Sequence, residues 1–272
     1  MSEPRVTVSV ADHVATVTMV RAAKHNALDA HMFTALVGAI AQVGADPSVR
    51  AVVLHGEGKS FCSGLDVASF MSEDSPITMA QLMDRSGDAR ANLAQQVCLG
   101  WMQLRAPVIA AIHGSCFGGG LQIALGADIR LAAPDARLSI MEVRWGLVPD
   151  MGITQTLPRL LAIDVAKELT YTGRRLSGEE AAACGLVTHT ASDPLTAAQE
   201  LAARIASVSP SAVQAAKRLY DTTWAGGDPD AALALETELQ LDLLGSPNQL
   251  AAVTAAFTKQ PVGFEDPVPP TG

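Results

Sequence analysis

A run of glycines in the middle of the chain is the feature best suited to chemistry. In "IHGSCFGGGLQIALGADIR", residues 112–130, a short apolar strand leads through three consecutive glycines into a helix predicted to begin at Gln122. The N-terminus of a helix presents unpaired backbone N–H groups, and these together with the helix dipole stabilise negative charge. A second turn, "FCSGLDVASF" at 61–70, can supply another N–H group. Such a pair can hold an oxygen that becomes anionic during reaction, as a thioester oxygen does when the adjacent proton is removed.

Two nucleotide-binding interpretations of these glycines fail on spacing. The central run reads G-x-x-x-G-G-G rather than G-x-G-x-x-G, and it lies in the middle of the chain rather than in a first βαβ unit. The segment "GEGKS" at 56–60 resembles the end of a P-loop, but Val53 occupies the position that requires glycine. A purely structural role, a tight connection that permits helix–strand packing, stays open for each turn alone.

Charge and composition narrow the class of ligand. Hydrophobic residues make up 49% of the 272 residues, which is enough to bury a full core. Subtracting 28 Asp and Glu from 19 Lys and Arg leaves a net charge of -9, which argues against a nucleic-acid partner. Local cations such as Arg21 and Lys24 still suffice for a small phosphorylated ligand.

The cysteines and the apolar runs predict the cellular compartment of the protein. Cys62, Cys98, Cys116 and Cys184 are scattered without metal-binding or disulfide spacing, so we expect free thiols in a reducing environment and no metal site. Cys116 lies in the glycine turn, where a small buried thiol is favoured over a nucleophile. The N-terminal residues lack a signal-peptide pattern, and no apolar run approaches the roughly 20 residues that span a bilayer. A cytoplasmic protein without a membrane partner is expected.

Hydrophobic periodicity predicts an α/β fold. Alternating residues at 5–20 predict a β-hairpin, and 26–44 have helical spacing with Asn26 or Asp29 as the N-cap. Continuous apolar runs at 49–58 and 106–115 predict strands buried on both faces, and 127–140 predict one or two more. In such folds ligands bind beyond the carboxyl ends of the strands, where the glycine runs lie.

The remaining segments are predicted to be helical. After about residue 195 the Ala- and Leu-rich sequence predicts three or four helices and no strand. Residues 71–104 also have a helical period, with Met79, Met83, Leu93, Trp101 and Met102 forming an apolar stripe. That stripe is favoured as a core-facing surface, with a flexible acyl-pocket wall as the alternative.

An ordered series of segments covering nearly the whole chain resembles the enoyl-CoA hydratase/isomerase family, the crotonase superfamily. The segments are "RAAKHNALD", "GKSFCSGLDV", "APVIAAIHGSCFGGGLQIALGADIRLAA", "WGLVPDMGITQTLPRL", "LTYTGRRLSGEEAAACGLV" and "AFTKQPVGF". Each alone is a weak signal, but the ordered set is specific. The resemblance implies a crotonase-like spiral of ββα units at 1–195 that carries the acyl-CoA site. It also implies a helical C-terminal region at 196–272 that assembles a homotrimer or a dimer of trimers.

The resemblance also implies the binding residues. The backbone N–H groups of Leu65 and Gly119 would form the oxyanion hole, in the two turns already singled out. CoA is part of the substrate, and no metal or redox cofactor is implied. The implied CoA-lining residues are Arg21, Ala22, Lys24, Asn26, Ser63, Gly64 and Asp66, with Lys59 or Lys259 near the phosphates.

The implied catalytic groups separate isomerisation from hydration. The family's hydratases activate water between two glutamates, whose positions here are Gln122 and Glu142. An amide cannot accept a proton at neutral pH, so the two-carboxylate hydration mechanism is incomplete. Asp150 adds a carboxylate where many hydratases carry glycine, although a residue after Pro149 can also be an ordinary turn residue. The pair of Glu142 and Asp150 resembles the dienoyl-CoA isomerases, which also carry an acid at the position of Gln122.

Three hypotheses follow from the resemblance. The first is an isomerase that shifts double bonds in an unsaturated acyl-CoA, with Gln122 hydrogen-bonding a carboxylate or the substrate without titrating. The second is a weak 2-enoyl-CoA hydratase acting through Glu142 alone, and the third is a non-catalytic acyl-CoA-binding protein. The sequence leaves the acyl group open, as well as which carboxylate is the base.

Overall fold

The protein has the predicted α/β architecture. A computed structural model describes residues 3–72, 75–85, 89–224 and 226–267. The strands are β1 (Val6–Ala11), β2 (Val14–Met19), β3 (Ala51–Gly56), β4 (Val108–Ile112), β5 (Ser115–Phe117), β6 (Ile129–Ala132), β7 (Arg137–Ser139), β8 (Leu176–Ser177) and β9 (His189–Thr190). The α-helices are α1 (Ala30–Ala45), α2 (Val67–Phe70), α3 (Met79–Met83), α4 (Leu93–Gln103), α5 (Gly119–Leu125), α6 (Ile153–Thr156), α7 (Ile163–Thr172), α8 (Gly178–Ala183), α9 (Pro194–Ala206), α10 (Pro210–Thr223), α11 (Pro229–Leu243) and α12 (Pro247–Thr258). Short 3-10 helices occupy Ala22–Lys24, Glu142–Trp145 and Leu157–Arg159.

Two sheets form the core. The larger has the order β1-β2-β3-β4-β6-β9, in which β1 and β2 form the predicted antiparallel hairpin and the other neighbours are parallel. The smaller has the order β5-β7-β8. Both β3 and β4 are buried on both faces, which explains why their sequences are continuously apolar rather than alternating.

The chain repeats a ββα unit, as expected for a spiral core. The unit β4-β5-α5 sends its first strand to the larger sheet and its second to the smaller one, and β6-β7 repeats this pattern before α6. The turn after β3 joins the series through an isolated bridge between Cys62 and Cys116. Successive turns of the spiral therefore lie next to one another, beyond the carboxyl ends of the parallel strands of the larger sheet.

Local chemistry decides where two of the helices begin. Asp29, not Asn26, caps α1, because its carboxylate accepts a hydrogen bond from Met32 N at 2.8 Å. The helix after the glycines was expected to begin at Gln122, but α5 begins at Gly119. Its N-cap, Gly118, has φ +52°, a left-handed conformation that favours glycine. Gln122 therefore lies about one turn inside the helix.

In its described residues, the C-terminal region contains four helices and no strand, which agrees with the predicted three or four helices. The first of them, α9, packs on the larger sheet, where Ala198 and Ala202 join an apolar cluster with Ala51 and Val53 of β3. The helix α10 lies against the core through an ion pair of 2.7 Å between Lys217 and Asp128. Among the described residues, no helix is both long and apolar enough to cross a membrane.

The segment 71–104 contains two helices rather than one. Residues 73–74 and 86–88 of it lie outside the described residues, and α3 and α4 occupy parts of the remainder. Trp101 is fully buried, as a core-facing stripe predicts, whereas Met102 lines a cleft between α4 and α10 and Met79 is largely exposed. The stripe is therefore divided between the core and a cavity wall.

Candidate active site

The two glycine-containing turns run side by side. Phe61 N donates to His113 O at 2.9 Å, Cys62 N to Ser115 O at 3.0 Å, and Phe117 N to Cys62 O at 3.0 Å. These bonds continue the parallel order of β3 and β4 beyond the ends of the strands. Residues 61–65 are thereby fixed against residues 115–119.

Glycine is required where the turns approach most closely. Gly64 has φ +92°, and a Cβ on it would lie 2.9 Å from Phe117 O and 3.9 Å from Gly119 N. A Cβ on Gly120 would lie 2.6 Å from Cys62 O. Both distances to the carbonyl oxygens are shorter than Cβ contacts allow, so a side chain at either position would push the turns apart.

The backbone N–H groups of Leu65 and Gly119 are unpaired at this contact within the described part of the chain. Leu28 N donates to Gly64 O at 2.8 Å and Asp66 N donates to Leu28 O at 3.0 Å, so the N–H of Leu65 between them points away from Leu28. Gly119 is the first residue of α5, where an N–H has no partner within the helix. Among the described residues, neither N–H has a protein acceptor. The predicted oxyanion-hole residues therefore lie in adjacent turns with free donors.

Glu142 faces the same glycine turn. It is the first residue of a 3-10 helix, and its Oε1 atom lies 3.5 Å from where a Cβ on Gly118 would be. This Oε1 accepts a hydrogen bond of 2.7 Å from Gln122 Nε2, while Oε2 is buried and has no partner among the described residues. Burial raises the pKa of Glu142 above its ordinary value, and the charge of Asp150 adds to the effect.

The amide of Gln122 connects both ends of the site. Its side chain is 2% exposed; Nε2 donates to Glu142, and Oε1 accepts from Met151 N at 2.9 Å. Because one contact requires a donor and the other an acceptor, the two together fix the orientation of the amide. Gln122 therefore holds Glu142 and also the backbone immediately after Asp150.

Asp150 completes a pair of acids with elevated pKa values. It lies in the turn before α6 and keeps an exposed edge, yet the surrounding chain desolvates its carboxyl enough to raise the pKa. Its charge also helps to raise the pKa of Glu142, so the two carboxyls lie near enough for that interaction. A carboxyl that titrates closer to neutrality is better suited to both removing and returning a proton.

The cysteines near the site are packing residues. Cys116 is fully buried, as predicted, and burial raises its pKa well above the ordinary value. Burial raises the pKa of Cys62 to about 12. Because the thiolate is the reactive form, neither side chain is suited to act as a nucleophile.

Ion pairs connect the predicted CoA-lining residues to one another. Arg21 Nη2 lies 2.8 Å from Asp66 Oδ2, and Arg21 Nε lies 3.3 Å from Asp29 Oδ2. Arg5 also pairs with Asp29, at 2.9 Å. The charge of Arg21 is thus already compensated within the protein. Lys24 lies on the exposed side of this group, where its charge helps to lower the pKa of Asp66.

Other predicted CoA-lining residues shape the backbone there. The Asn26 side chain is fully buried; its Nδ2 donates to Glu57 O and Ser60 O, and its Oδ1 accepts from Arg21 N. Ser63 N donates to His25 O, and Ser63 Oγ lies 3.4 Å from Lys24 O.

Ala22 and the two lysines complete the predicted set. Ala22 lies in the first 3-10 helix, where it packs beside Gly58. Lys59 is exposed in the turn after β3. Lys259 ends α12 and makes no hydrogen bond or ion pair with the other predicted residues in the described part of the chain. The structure brings the early residues together, and a phosphate contact for either lysine stays a prediction.

Two residues that keep the site in place have roles that cannot be predicted from the sequence. Met151 contributes its backbone N–H to Gln122, and a backbone donor leaves no trace in residue type. Asp29 neutralises Arg21 as well as capping α1, but only the capping role has a sequence signal.

Comparison with known proteins relates the chain and its fold to one family. The family model described as "Enoyl-CoA hydratase/isomerase" matches residues 9–266. A mitochondrial Delta(3,5)-Delta(2,4)-dienoyl-CoA isomerase of Mus musculus is 37% identical over 223 residues, 77% of this chain and 66% of that protein. The short-chain-enoyl-CoA hydratase of Clostridium acetobutylicum is 34% identical over 257 residues, 93% of this chain and 95% of that protein. The crystal structure of an enoyl-CoA hydratase from Bacillus anthracis has a TM-score of 0.84 at 29% identity, covering 97% of this chain and all of that one.

The elevated pKa of Glu142 predicts a stability change in Glu142→Gln. Glutamine reproduces the hydrogen-bonding groups of the protonated acid without a charge. The pKa of Glu142 is higher in the folded state than in the unfolded state. The protonated Glu142 side chain therefore contributes its full stability to the fold below the ordinary Glu pKa of about 4.3, and this contribution is lost as pH rises through the folded-state pKa. We expect Glu142→Gln to raise the free energy of unfolding at pH 7 and to leave it unchanged below pH of about 4.

Urea unfolding at the two pH values measures this difference. The control is Glu57→Gln, since Glu57 is exposed and its side chain makes no hydrogen bond or ion pair in the described part of the chain. A lower free energy of unfolding at pH 7 in Glu142→Gln would contradict the conclusion that burial disfavours the charged form of Glu142.

Proposed function

We propose that this chain, which belongs to the enoyl-CoA hydratase/isomerase family, is an acyl-CoA double-bond isomerase. The family acts on acyl-CoA thioesters, and its members include both hydratases and dienoyl-CoA isomerases. The observation that carries the choice is the amide of Gln122, which occupies the position of the first hydratase glutamate and is hydrogen-bonded on both sides. A neutral amide cannot share the activation of a water molecule with Glu142.

The proposed reaction moves a proton and leaves the composition of the substrate unchanged. The N–H groups of Leu65 and Gly119 bind the thioester oxygen. One carboxylate of the Glu142–Asp150 pair removes the proton from the carbon next to the thioester, and the electron pair of that C–H bond passes into a conjugated enolate. The other carboxyl returns a proton farther along the acyl chain, and the double bond shifts into conjugation with the C=O group.

The free donors favour the enolate over the substrate. Charge develops on the thioester oxygen only as the proton leaves, so hydrogen bonds to that oxygen strengthen in the transition state. Oε2 of Glu142, buried and without a partner among the described residues, is the oxygen left to accept a proton, because Oε1 is engaged by Gln122. These two features support general acid–base chemistry on the carbon next to the thioester.

We also propose the predicted division of the chain and its assembly. Residues 1–195 would carry the acyl-CoA site, and 196–272 would form the oligomerisation region of a homotrimer or a dimer of trimers. Exposed large apolar side chains on the C-terminal helices support this assignment, since single chains rarely expose so many together. They include Tyr220, Trp224, Leu233, Leu241, Leu250 and Phe257.

Removing either carboxylate should abolish most isomerisation. We expect Glu142→Gln and Asp150→Asn each to lower kcat for the conversion of 3-enoyl- or 3,5-dienoyl-CoA by roughly 10²- to 10⁴-fold, the usual contribution of a general acid or base. Absorbance of the conjugated product measures the rate. The matched control is Asp164→Asn, an exposed acid in the first turn of α7. Unchanged turnover in both site variants would contradict the proposal.

The same variants assign the two proton transfers. In D2O, the variant that retains the base still exchanges the proton next to the thioester even when it cannot complete the shift. Exchange in Asp150→Asn but not in Glu142→Gln would assign the base to Glu142, and the reverse would assign it to Asp150. Exchange by neither variant would mean that both carboxyls are required for the first step.

Replacing the amide tests why hydration is disfavoured. Gln122→Glu restores the second carboxylate of a hydratase, so we expect hydration of 2-enoyl-CoA to rise by at least about tenfold. The physical reason is that the new group can accept a proton, which an amide cannot. Formation of 3-hydroxyacyl-CoA measures this, with Gln155→Glu as the control for an added exposed charge. Rapid hydration by the unaltered protein would instead favour the second candidate, a hydratase working through Glu142.

A further inference from the structure

A large cleft lies directly behind the pair of acids. It has a volume of about 1060 Å³ and separates α4 and α6 from α10 and α11. Leu99 and Gly152 form the part of its lining nearest the acids. Gly152 follows Asp150 by two residues, and Leu99 follows Cys98, whose pKa is raised in part by the charges of Asp150 and Glu142. The cleft and the active site are therefore neighbours across one layer of residues.

That layer is thin where Leu99 meets Gly152. A Cβ at position 152 would lie 2.9 Å from Leu99 Cδ2 and 3.0 Å from Leu99 Cγ, and Gly152 has φ +89°. The leucine side chain thus occupies space that only a glycine leaves open. An opening between the active site and the cleft would lie at this side chain, since leucine has alternative staggered rotamers.

Charged and amide side chains lie among the apolar residues that line the cleft. Of its cations, Arg159 pairs with Asp221, and Lys217 with Asp128. Arg218 similarly pairs with Glu238. Further polar residues of the lining are Gln103, Gln155 and Gln214.

Arg105 differs from these cations. It has no acidic partner in the described part of the chain, and its Nη1 atom is buried without an acceptor. The C-terminus of α4 lies nearby, and the helix dipole there favours the positive charge of Arg105. It does not supply an acceptor for the Nη1 donor. Arg90 also lacks an acidic partner among the described residues, but it is exposed at the other end of α4. Arg105 is thus a half-buried cation in the lining of the cleft with one N–H donor that lacks an acceptor among the described residues.

We propose that the cleft receives the distal end of an acyl chain that terminates in a carboxylate, and that Arg105 binds this carboxylate. This proposal rests on the proposed function, because that function sets the direction of the acyl chain. The acyl chain runs from the Leu65–Gly119 oxyanion hole past Asp150 towards Gly152. From Leu99 to the end of α4 at Gln103 is about 6 Å, and Arg105 lies two residues beyond that end. A chain of medium length can cover this distance, and a guanidinium binds a carboxylate through two parallel hydrogen bonds.

A methyl-terminated chain fits this surface less well. It would remove water from the Arg105 guanidinium without providing an acceptor, and desolvating an unpaired charge is costly. A carboxylate-terminated chain supplies the acceptor while its methylene groups lie against Leu99 and Met102. The two ligands differ only in the group that ends the acyl chain, so their binding can be compared without turnover.

Calorimetry with saturated CoA esters tests the proposal on the full chain. We expect a medium-chain ester bearing a terminal carboxylate to bind at least about tenfold more tightly than the methyl-terminated ester of equal length. Arg105→Gln should abolish this preference without weakening the methyl-terminated ester, and Arg105→Lys should restore part of it. Arg174→Gln, which removes an exposed arginine outside the cleft, is the control for charge.

Equal or tighter binding of the methyl-terminated ester by the unaltered protein would overturn the proposal. A preference that survives Arg105→Gln would overturn the role of Arg105. Retained binding of the methyl-terminated ester shows that the variant is folded. Because saturated esters cannot be isomerised, failure of the isomerase proposal and failure of this one give different results.

Discussion

The close contact between the turns after β3 and β4 is the constraint on which the site depends. Gly64 and Gly120 lie so near Phe117 O and Cys62 O that a single Cβ at either position would separate the turns. Hydrogen bonds along both turns maintain the contact, and within the described part of the chain they leave the N–H groups of Leu65 and Gly119 without acceptors. Unsatisfied donors are costly inside a protein unless a ligand uses them, so this contact explains the glycines and supports the proposed binding of an oxygen.

The amide of Gln122 determines what chemistry that oxygen site can support. It lies one turn into α5, so the same helix that presents Gly119 N also positions the amide against Glu142 and Met151. Glu142 keeps one oxygen free, and Asp150 stands next to the backbone that Gln122 holds. The result is a neutral connector between two carboxyls of elevated pKa, an arrangement better suited to moving a proton along a chain than to activating water.

Sequence reasoning reached the elements and the two turns because their signals are local. Apolar runs ending in glycine located β3 and β4, and the glycine pattern located the two turns of the proposed oxyanion hole. Contacts that depend on folding were less accessible. The neutralisation of Arg21 by Asp29 and Asp66, and the hydrogen bonds of Asn26 inside the protein, arise from residues brought together only by the spiral. The cleft beside Arg105 also had no sequence signal, because its walls come from α4, α6, α10 and α11.

The central claim is that the carboxyl pair moves protons and does not add water. The most direct measurement is to incubate the protein with a 3-enoyl-CoA in D2O enriched in ¹⁸O and to analyse the products by mass spectrometry and NMR. The account predicts conjugated 2-enoyl-CoA carrying deuterium on carbon and no ¹⁸O in the acyl chain. Rapid accumulation of 3-hydroxyacyl-CoA containing ¹⁸O, without a separate isomerisation product, would contradict it.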